Sequence, residues 1–261
     1  MKIKLQLKEK FRDTILHDIY IFYLIEIKNF FIFRPVLFIR KITWFLIQFK
    51  VYKKLKINHN FVKFRLYPCL FDNINNTPID PVYFLQDSWA ARKIFELNPK
   101  QHYDIGSSIK TISILSQFVP VTMIDIRPVN IELPNLYFKK GSILNLPFKD
   151  ASIESLSALC VIEHIGLGRY GDEICTFGSE KAIQEITRVL NRGGVFLFSV
   201  PVDSENIIYF NAHRAFTRNY IMALLNEFEL IEEKYIYGLQ LYDKYEARKG
   251  FGTGLYMLRK L

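Results

Sequence analysis

Groups able to transfer protons are concentrated in one short stretch, VIEHIGLGRYGD, residues 161–172. Glu163 and His164 are neighbours directly after an apolar run, so one side chain can face a ligand while the other anchors the loop. A further imidazole, His213, follows in FNAHR. A substrate that reacts through a hydroxyl group needs such a base to remove the hydroxyl proton, because the pKa of a hydroxyl lies far above neutrality. We predict that Glu163, His164 and His213 are catalytic, with either histidine as the base. The alternative for His164 is a structural histidine bonded to backbone carbonyls.

The loop after His164 contains glycines, which permit unusual backbone angles and can present side chains to a ligand. Arg169 suits a phosphate or carboxylate group. FNAHR follows another apolar run and is expected to form the opposite wall of the same site. The predicted acceptor-binding residues are Arg169, Tyr170, Asp172, Asn211 and Arg214. The alternative is an ion pair between Arg169 and Asp172 that only shapes the loop.

A metal site is not predicted. Glu163, His164, Asp172 and His213 carry suitable ligand atoms, but they lack the compact spacing of metal ligands. The three cysteines of the chain are far apart and form neither a disulfide framework nor a zinc motif. A reducing, cytoplasmic setting is expected.

Strands and helices alternate in the predicted secondary structure from residue 67 onwards. Apolar runs predict strands at 102–105, 121–126, 136–141, 153–162 and 195–202, followed by two closing strands, FELIEEKYIY and GLYMLRKL. Helical spacing predicts helices at 83–97, 107–118, 179–190 and 217–226. This order predicts an α/β fold with a doubly wound, mostly parallel, seven-stranded sheet, the closing strands adding an antiparallel edge.

A cofactor site is expected beyond the carboxyl ends of the strands, where such sheets bind ligands. Gly106 directly follows the first strand and allows the backbone to turn and approach a ligand, with the small Ser107 beside it. Asp125 ends the second strand, about twenty residues on, where an acid can accept hydrogen bonds from both hydroxyls of a ribose. The alternative for Asp125 is a cap on the turn before Pro128.

The D-I-G turn, Asp125, the L-P-F loop, the E-H pair and L-N-R-G-G-V-F occur in the order that resembles class I S-adenosylmethionine-dependent methyltransferases, over about residues 100–202. The resemblance implies S-adenosylmethionine as cofactor. It would place Asp104 and Gly106 at the methionine part, Asp125 at the ribose, and Ser142 with Ile143 at the adenine. The full predicted cofactor-binding set is Asp104, Gly106, Ser107, Asp125, Ile126, Ser142 and Ile143. Ser108 and Ser142 depart from the pattern, standing where a glycine and an acid are usual.

More narrowly, YFLQDSWAARKI, HYDIGSS, IDIRP, LPFKDASIESLS, VIEHIGLGRYGD and FNAHR resemble the domain of unknown function 268 family, over about residues 67–236. The resemblance implies a bacterial methyltransferase-like protein of cell-surface polysaccharide synthesis. We predict O-methylation of a sugar in a surface polysaccharide or its precursor. The alternatives are a non-catalytic scaffold in an envelope biosynthetic complex and an RNA methyltransferase. A dinucleotide-dependent sugar enzyme is suggested only by Tyr245 and Lys249, which form an isolated Y-x-x-x-K.

The positive charge of the chain lies in its first part. The net charge is +9, and residues 1–67 carry 15 Lys and Arg against 4 Asp and Glu. We predict a basic, aromatic-rich helical extension at 1–66, divided near Pro35, and a methyltransferase-like domain at 67–261. The extension is too often charged to span a bilayer, but it suits peripheral contact with anionic lipid at the inner face of the membrane. The alternative is a helical pair packed on the body. Nucleic-acid binding is not predicted, since no RNA-binding motif is present.

Overall fold

The computed structural model describes residues 34–55, 66, 68–127 and 129–261. The chain divides into two compact units, Met1–Pro78 and Ile79–Leu261. In the first unit, helix α1 spans Arg34–Tyr52. The amphipathic piece expected before Pro35 lies outside the described residues. Within the described part of the chain, no helix combines the length and apolar character needed to cross a membrane.

The second unit contains four α-helices and ten strands in the described chain. The helices are α2 (Pro81–Leu97), α3 (Ile109–Leu115), α4 (Gly178–Val189) and α5 (Arg218–Leu224). The strands are β1 (His102–Ile105), β2 (Val121–Asp125), β3 (Leu136–Lys140), β4 (Ile153–Leu159), β5 (Leu190–Val202), β6 (Ile207–Tyr209), β7 (His213–Ala215), β8 (Phe228–Tyr237), β9 (Gln240–Tyr242) and β10 (Gly252–Lys260). Short 3-10 helices lie at Ile162–His164 and Ala247–Lys249.

The main sheet has eight strands in the order β3-β2-β1-β4-β5-β10-β8-β9. Strands β1 to β5 are parallel, while β10 runs antiparallel to both β5 and β8. The expectation of an α/β, mostly parallel sheet is confirmed. The predicted seven strands were one too few, because Gln240–Tyr242 is a three-residue strand that pairs with β8 across a tight turn. The closing strand β10 lies inside the sheet, and β9 forms the edge.

Helices cover both faces of the sheet. Successive side chains of β5 point to opposite faces, so this strand contributes to the core under each layer of helices. Phe196 and Phe198 belong to the core that contains α4 and α5. Val195 and Leu197 belong to the core that contains α2 and α3. This double layer buries β5 along most of its length and fixes the carboxyl ends of the parallel strands at one edge.

Strand β4 ends earlier than predicted. It stops at Leu159, because Cys160 has a φ of 52°, in the left-handed region that breaks a strand. Glu163 and His164 therefore lie on a 3-10 turn rather than at a strand end. The helix starts also differ: α2 begins at Pro81, where the Asp80 side chain accepts hydrogen bonds from the Val82 and Tyr83 N–H groups.

Candidate functional site

A cavity of about 980 Å³ opens beyond the carboxyl ends of β1, β2 and β4. Nine of the residues predicted from the sequence line it: Gly106, Ser107, Asp125, Ile126, Ser142, Ile143, His164, Tyr170 and Asp172. Six do not: Asp104, Glu163, Arg169, Asn211, His213 and Arg214. The structure thus brings the predicted cofactor residues together, Asp104 excepted, and separates much of the predicted acceptor set from the cavity wall.

Asp104 lies behind the cavity wall, fully buried. Its carboxylate accepts hydrogen bonds from the Ser107 N–H at 3.0 Å, the Ser107 hydroxyl at 2.6 Å and the Ser157 hydroxyl at 2.5 Å. Burial raises the pKa of Asp104 to about 6, although these hydrogen bonds oppose the shift. Asp104 therefore shapes the turn between β1 and α3 instead of lining the cavity, which corrects its predicted position.

The hydrogen bonds of Asp104 continue into a buried chain that sequence reasoning missed. His102 is fully buried, with Nδ1 at 2.8 Å from the Ser155 hydroxyl and Nε2 at 2.9 Å from the Ser157 hydroxyl. Burial lowers the pKa of His102 to about 3, so the ring is neutral at neutral pH. The only sequence signal was two serines alternating on a buried strand.

Gly106 and Asp125 face each other in the cavity wall. Gly106 has a φ of 62°, and a Cβ there would lie 3.4 Å from Val161 Cγ1 and 4.0 Å from Asp125 Oδ2. The glycine thus keeps the space beside the carboxylate open. Asp125 Oδ1 accepts from the Arg127 N–H at 2.7 Å, as expected of a turn cap, whereas Oδ2 has no hydrogen-bond partner among the described residues. Oδ2 is therefore available to a ligand.

The loop that follows β3 supplies a second part of the wall. The Ser142 hydroxyl accepts from the Leu144 N–H at 3.2 Å, and Ile143 packs into the core with 5% of its surface exposed. Glu185 of α4 accepts from the Leu146 N–H at 2.7 Å and pairs with Arg188 at 2.6 Å. The loop is thereby held against α4, in a fixed position beside Asp125.

Glu163 is buried next to the cavity. One of its oxygens, Oε2, has no hydrogen-bond partner among the described residues, and the other lies 3.6 Å from Nε2 of His164. Burial raises the pKa of Glu163 to about 8, outweighing its hydrogen bonds and the nearby charge of Arg169. A carboxyl group with such a pKa exchanges its proton close to physiological pH.

His164 lines the cavity, and its tautomer is fixed by the backbone. Its Nδ1 lies 2.6 Å from the Ala212 carbonyl oxygen, which only accepts hydrogen bonds, so Nδ1 carries the proton. Nε2 is then the basic nitrogen of the neutral ring. Burial lowers the pKa of His164 to about 4, so the ring is uncharged at neutral pH. The backbone contact of Nδ1 matches the structural alternative for His164, and its catalytic role stays a prediction.

His213 is separated from the cavity by His164. The two rings lie 6.5 Å apart between centroids, and only His164 contributes to the wall. Burial lowers the pKa of His213, and the charge of Arg169 acts in the same direction. Of the two histidines, His164 thus has the position that a base in the cavity requires.

The loop 165–178 is organised by Asp172. Its carboxylate accepts from the N–H groups of Gly166 at 2.7 Å, Tyr170 at 3.2 Å and Gly168 at 3.3 Å. Burial alone would raise the pKa of Asp172, but these donors lower it overall. The alternative of an ion pair with Arg169 is not found among the described residues. Asp172 shapes the loop through backbone donors instead.

Two guanidinium groups flank the ring of Tyr170 at the cavity. Arg127 lies 4.5 Å and Arg169 5.1 Å from the ring centroid, both within range of cation–π attraction. Arg169 also donates to the Ala212 carbonyl at 3.0 Å. Because Arg127 directly follows the Asp125 strand, Tyr170 connects the loop to the opposite side of the cavity.

Arg214 and Asn211 have structural positions. Arg214 is buried with 5% exposure and donates to the carbonyls of Ile165 at 2.6 Å and Cys175 at 3.1 Å, with longer bonds to Thr176 and Ser179. Both terminal nitrogens of Arg214 donate to oxygen atoms of the protein, so the side chain holds the 165–178 loop in place instead of contacting an acceptor as predicted. Asn211 has a φ of 62° at the turn between β6 and β7.

Helix α2 contributes cavity residues that the sequence prediction missed. Asp80, Tyr83 and Asp87 all line the cavity, as does Cys160. Asp80 caps α2, and Tyr83 and Asp87 follow it at spacings of three and four, which places these three residues on one side of the helix and was the available signal. Burial raises the pKa of Asp87, and its carboxylate accepts from Gln86 at 3.1 Å and from Thr111.

The cavity wall is rich in carboxylates. Five of its side chains are acidic and two are basic; the acids are Asp80, Asp87, Asp125, Asp172 and Glu173, and the bases are Lys110 and Arg127. Such a surface favours a ligand with positive charge. Within the described residues, no three His, Cys, Asp or Glu side chains are grouped so as to hold a metal ion.

The two residues of the isolated Y-x-x-x-K lie apart from the cavity wall. The Tyr245 hydroxyl donates to the Asp203 carbonyl at 2.5 Å, and Lys249 Nζ lies 4.4 Å from the centroid of the Tyr242 ring. Neither group has a place among the residues that could hold a nucleoside.

The strand order, the position of the cavity and the first of the two solved structures described next define a class I methyltransferase-like fold. A protein provisionally named sarcosine dimethylglycine methyltransferase, from Galdieria sulphuraria, is 14% identical with a TM-score of 0.51, covering 68% of this chain and 86% of that one. The N-methyltransferase NodS from Bradyrhizobium japonicum WM9, solved with S-adenosyl-L-homocysteine, is 15% identical with a TM-score of 0.49, covering 74% of this chain and 91% of that one.

The family comparison matches a segment that runs from the loop before β4 to the end of β8. Residues 147–238 match a family model described as Caenorhabditis protein of unknown function, DUF268. This confirms the resemblance predicted from the sequence over that segment, which includes the 161–172 loop and FNAHR. The motifs upstream of residue 147 lie outside the match. No curated protein matches the chain.

Proposed function

We propose that this protein is an S-adenosylmethionine-dependent methyltransferase that O-methylates a sugar of a surface polysaccharide or of its precursor. The observation that carries the proposal is the pairing of Asp125 with His164 in one cavity. Asp125 offers an unpartnered carboxylate oxygen across from Gly106, and His164 offers an unprotonated Nε2. The first suits a ribose and the second suits an acceptor hydroxyl.

The cavity fits the implied cofactor by three observations. Gly106 leaves open the space that a Cβ would fill beside Asp125. Ser142 and Ile143 adjoin that space and would enclose an adenine. The excess of carboxylates, including Asp80 that caps α2 and Asp87 within α2, suits a ligand that carries a sulfonium and an ammonium group. Asp125 would hold the ribose hydroxyls through Oδ2.

When bound, S-adenosylmethionine would supply an electrophilic methyl group, whose transfer in line to an acceptor oxygen releases the sulfur as the neutral thioether of S-adenosylhomocysteine. The protein's own residues then have two tasks, to align the acceptor and to receive its proton. His164 can receive the proton at Nε2, since its Nδ1 proton is held by Ala212. Glu163, 3.6 Å from Nε2, would stabilise the resulting imidazolium once its own proton has left.

A hydroxyl acceptor, such as that of a sugar, is supported by the presence of a candidate base in the cavity wall. Alcohol acceptors require proton removal, and the only imidazole in the described cavity wall is His164. The basic first part of the chain would keep the protein at the inner face of a membrane, close to lipid-linked precursors.

Methyl transfer to a cell-envelope fraction tests the proposal. The purified protein is incubated with polysaccharide and lipid-linked glycan fractions and with cofactor carrying a labelled methyl group. We expect the label to resist base and to be recovered, after acid hydrolysis of the glycosidic bonds, in a monosaccharide that mass spectrometry identifies as an O-methyl sugar. Label in RNA, or no transfer by a folded protein that binds the cofactor, would contradict the proposal in favour of an RNA methyltransferase or a scaffold.

A further inference from the structure

Three aromatic rings meet outside the cavity, and we infer that they bind the pyranose ring of the acceptor; this rests on the proposed function. Tyr209 ends β6, His213 begins β7, and Phe251 precedes β10. The centroid distances are 4.9 Å for Tyr209 and His213, 5.6 Å for His213 and Phe251, and 6.3 Å for Tyr209 and Phe251. These three residues form what we call the aromatic platform.

The aromatic platform is open to solvent. Tyr209 is 40% exposed and Phe251 is 50% exposed, and the adjoining Ile208 and Phe210 are 59% and 74% exposed. Aromatic side chains contribute most when they are buried, so a group of exposed rings marks a surface that a ligand covers. The pairing of β6 with β7 gives the platform a fixed support.

The angles between the rings indicate a non-planar ligand. The ring planes are inclined at 45°, 48° and 87° to one another, so no two are parallel. The three rings therefore offer no parallel pair that would sandwich a planar base, whereas the C–H face of a saturated sugar ring can pack on one exposed ring alone. The platform therefore matches the apolar face of a pyranose.

The platform continues into the proposed catalytic site. The His213 ring lies 6.5 Å from the His164 ring, which lines the cavity. The Ala212 carbonyl between β6 and β7 accepts from both His164 Nδ1 and Arg169. The same backbone atom thus fixes the base and the support of the platform, so a sugar on the platform adjoins the group that would take its proton.

Two side chains able to form hydrogen bonds lie near His213: Arg169 donates to the carbonyl of the preceding residue, Ala212, and Asn211 lies two residues before His213. Arg169 and Asn211 are exposed, one on the 165–178 loop and one at the turn between β6 and β7. A sugar requires such donors and acceptors for its hydroxyls beside an apolar surface for its C–H face. Apolar protein partners would leave these polar groups without hydrogen bonds, which favours the sugar as occupant.

Saturation-transfer difference NMR on the whole protein tests this inference. The probes are the methyl α-pyranosides of glucose, mannose and galactose, each with and without S-adenosylhomocysteine. We expect transfer to the ring protons of at least one probe. Tyr209→Ala and Phe251→Ala should each weaken its binding by about fivefold or more, the loss of one stacking ring. Phe95→Ala, at a 68% exposed phenylalanine of α2, is the matched control and should leave binding unchanged.

The results of this experiment distinguish a failure of the aromatic platform from a failure of the proposed methyltransferase function. Absence of transfer to all three probes, or transfer that is unaffected in both platform variants, would overturn the inference. If S-adenosylhomocysteine does not bind while the platform variants still lose sugar binding, the platform stands and the methyltransferase proposal fails. All variants are exposed and are checked for wild-type thermal unfolding, so loss of binding cannot result from loss of fold.

Discussion

Nδ1 of His164 lies 2.6 Å from the carbonyl oxygen of Ala212. This contact joins the 3-10 turn after β4 to the turn between β6 and β7, and it selects the tautomer of the imidazole. The basic Nε2 is left 3.6 Å from Glu163 Oε1. A short backbone contact thereby determines which atom can act as the base.

Replacement of His164 tests its role as the base. His164→Asn keeps an amide N–H near the position of Nδ1 and removes Nε2. We expect methyl transfer to fall by about 10²- to 10⁴-fold, the usual contribution of a general base, with cofactor binding unchanged. His213→Asn is the control for the other histidine and should reduce transfer far less. Equal losses in the two variants would contradict the assignment.

The pH dependence of transfer tests the link between Glu163 and His164. The pKa of Glu163 is raised to about 8 by burial, so the carboxylate forms as the pH rises through that value. Its negative charge then favours a protonated His164, and we expect the rate to rise by about tenfold. Glu163→Gln should abolish this rise. An unchanged profile measured with a saturating acceptor would show that the pair is not coupled.

Glu163 also makes stability depend on pH. In the folded protein it retains its proton up to about pH 8, whereas its ordinary pKa is 4.5. Stability is therefore lost as the pH rises between these values, and the loss reaches on the order of a few kcal/mol. Glu163→Gln should unfold in more urea than the wild type at pH 8.5, with a smaller difference at pH 5. Glu154→Gln, at an exposed site on β4, should show no such trend.

Arg214 distinguishes a loop clamp from an acceptor ligand. Lysine keeps the charge but cannot reach the four oxygens that the guanidinium contacts. We expect Arg214→Lys to lower the free energy of unfolding by about 2–4 kcal/mol. Arg192→Lys, at an exposed position, should have little effect. Wild-type stability together with a raised KM for the acceptor would restore the role predicted from the sequence.

We propose that the protein contacts a membrane surface through residues 1–60. They contain most of the excess positive charge of the chain, and helix α1 exposes Val36, Phe38, Ile39 and Ile47. Vesicles with anionic lipid should sediment the full chain, less so at high salt, and should leave the truncated chain in the supernatant. Equal sedimentation of the two proteins, or binding to neutral vesicles alone, would contradict this proposal.

The sequence predicted the parts of the site that depend on chain order. Gly106 and Asp125 end neighbouring parallel strands, so the strand pattern alone brings them to one edge. It did not reveal the buried position of Asp104, because that depends on Ser157 in a strand 53 residues away. It missed Asp87 of α2 for the same reason, since only the packing of α2 beside the sheet turns its polar face toward the cavity.

The order of the main strands and helices could be predicted from the sequence, but short strands and local backbone conformations could not. The alternation of apolar runs and helical patterns indicated the α/β sheet, whereas a three-residue strand such as β9 has no periodicity of its own. The left-handed conformation of Cys160 carries no signal in the residue type, and it places Glu163 and His164 on a 3-10 turn instead of at the end of a strand.

Calorimetric titration with S-adenosylmethionine tests the central claim most directly, because every proposed role of the cavity depends on that cofactor. The account predicts binding by the wild type and a loss of about 10- to 100-fold in affinity for Asp125→Ala, the cost of hydrogen bonds to a charged group. Asp243→Ala, at an exposed aspartate that pairs with Lys234 outside the cavity, should bind like the wild type. No heat of binding from a folded wild-type protein at millimolar cofactor, or equal affinity in the Asp125 variant, would contradict the account.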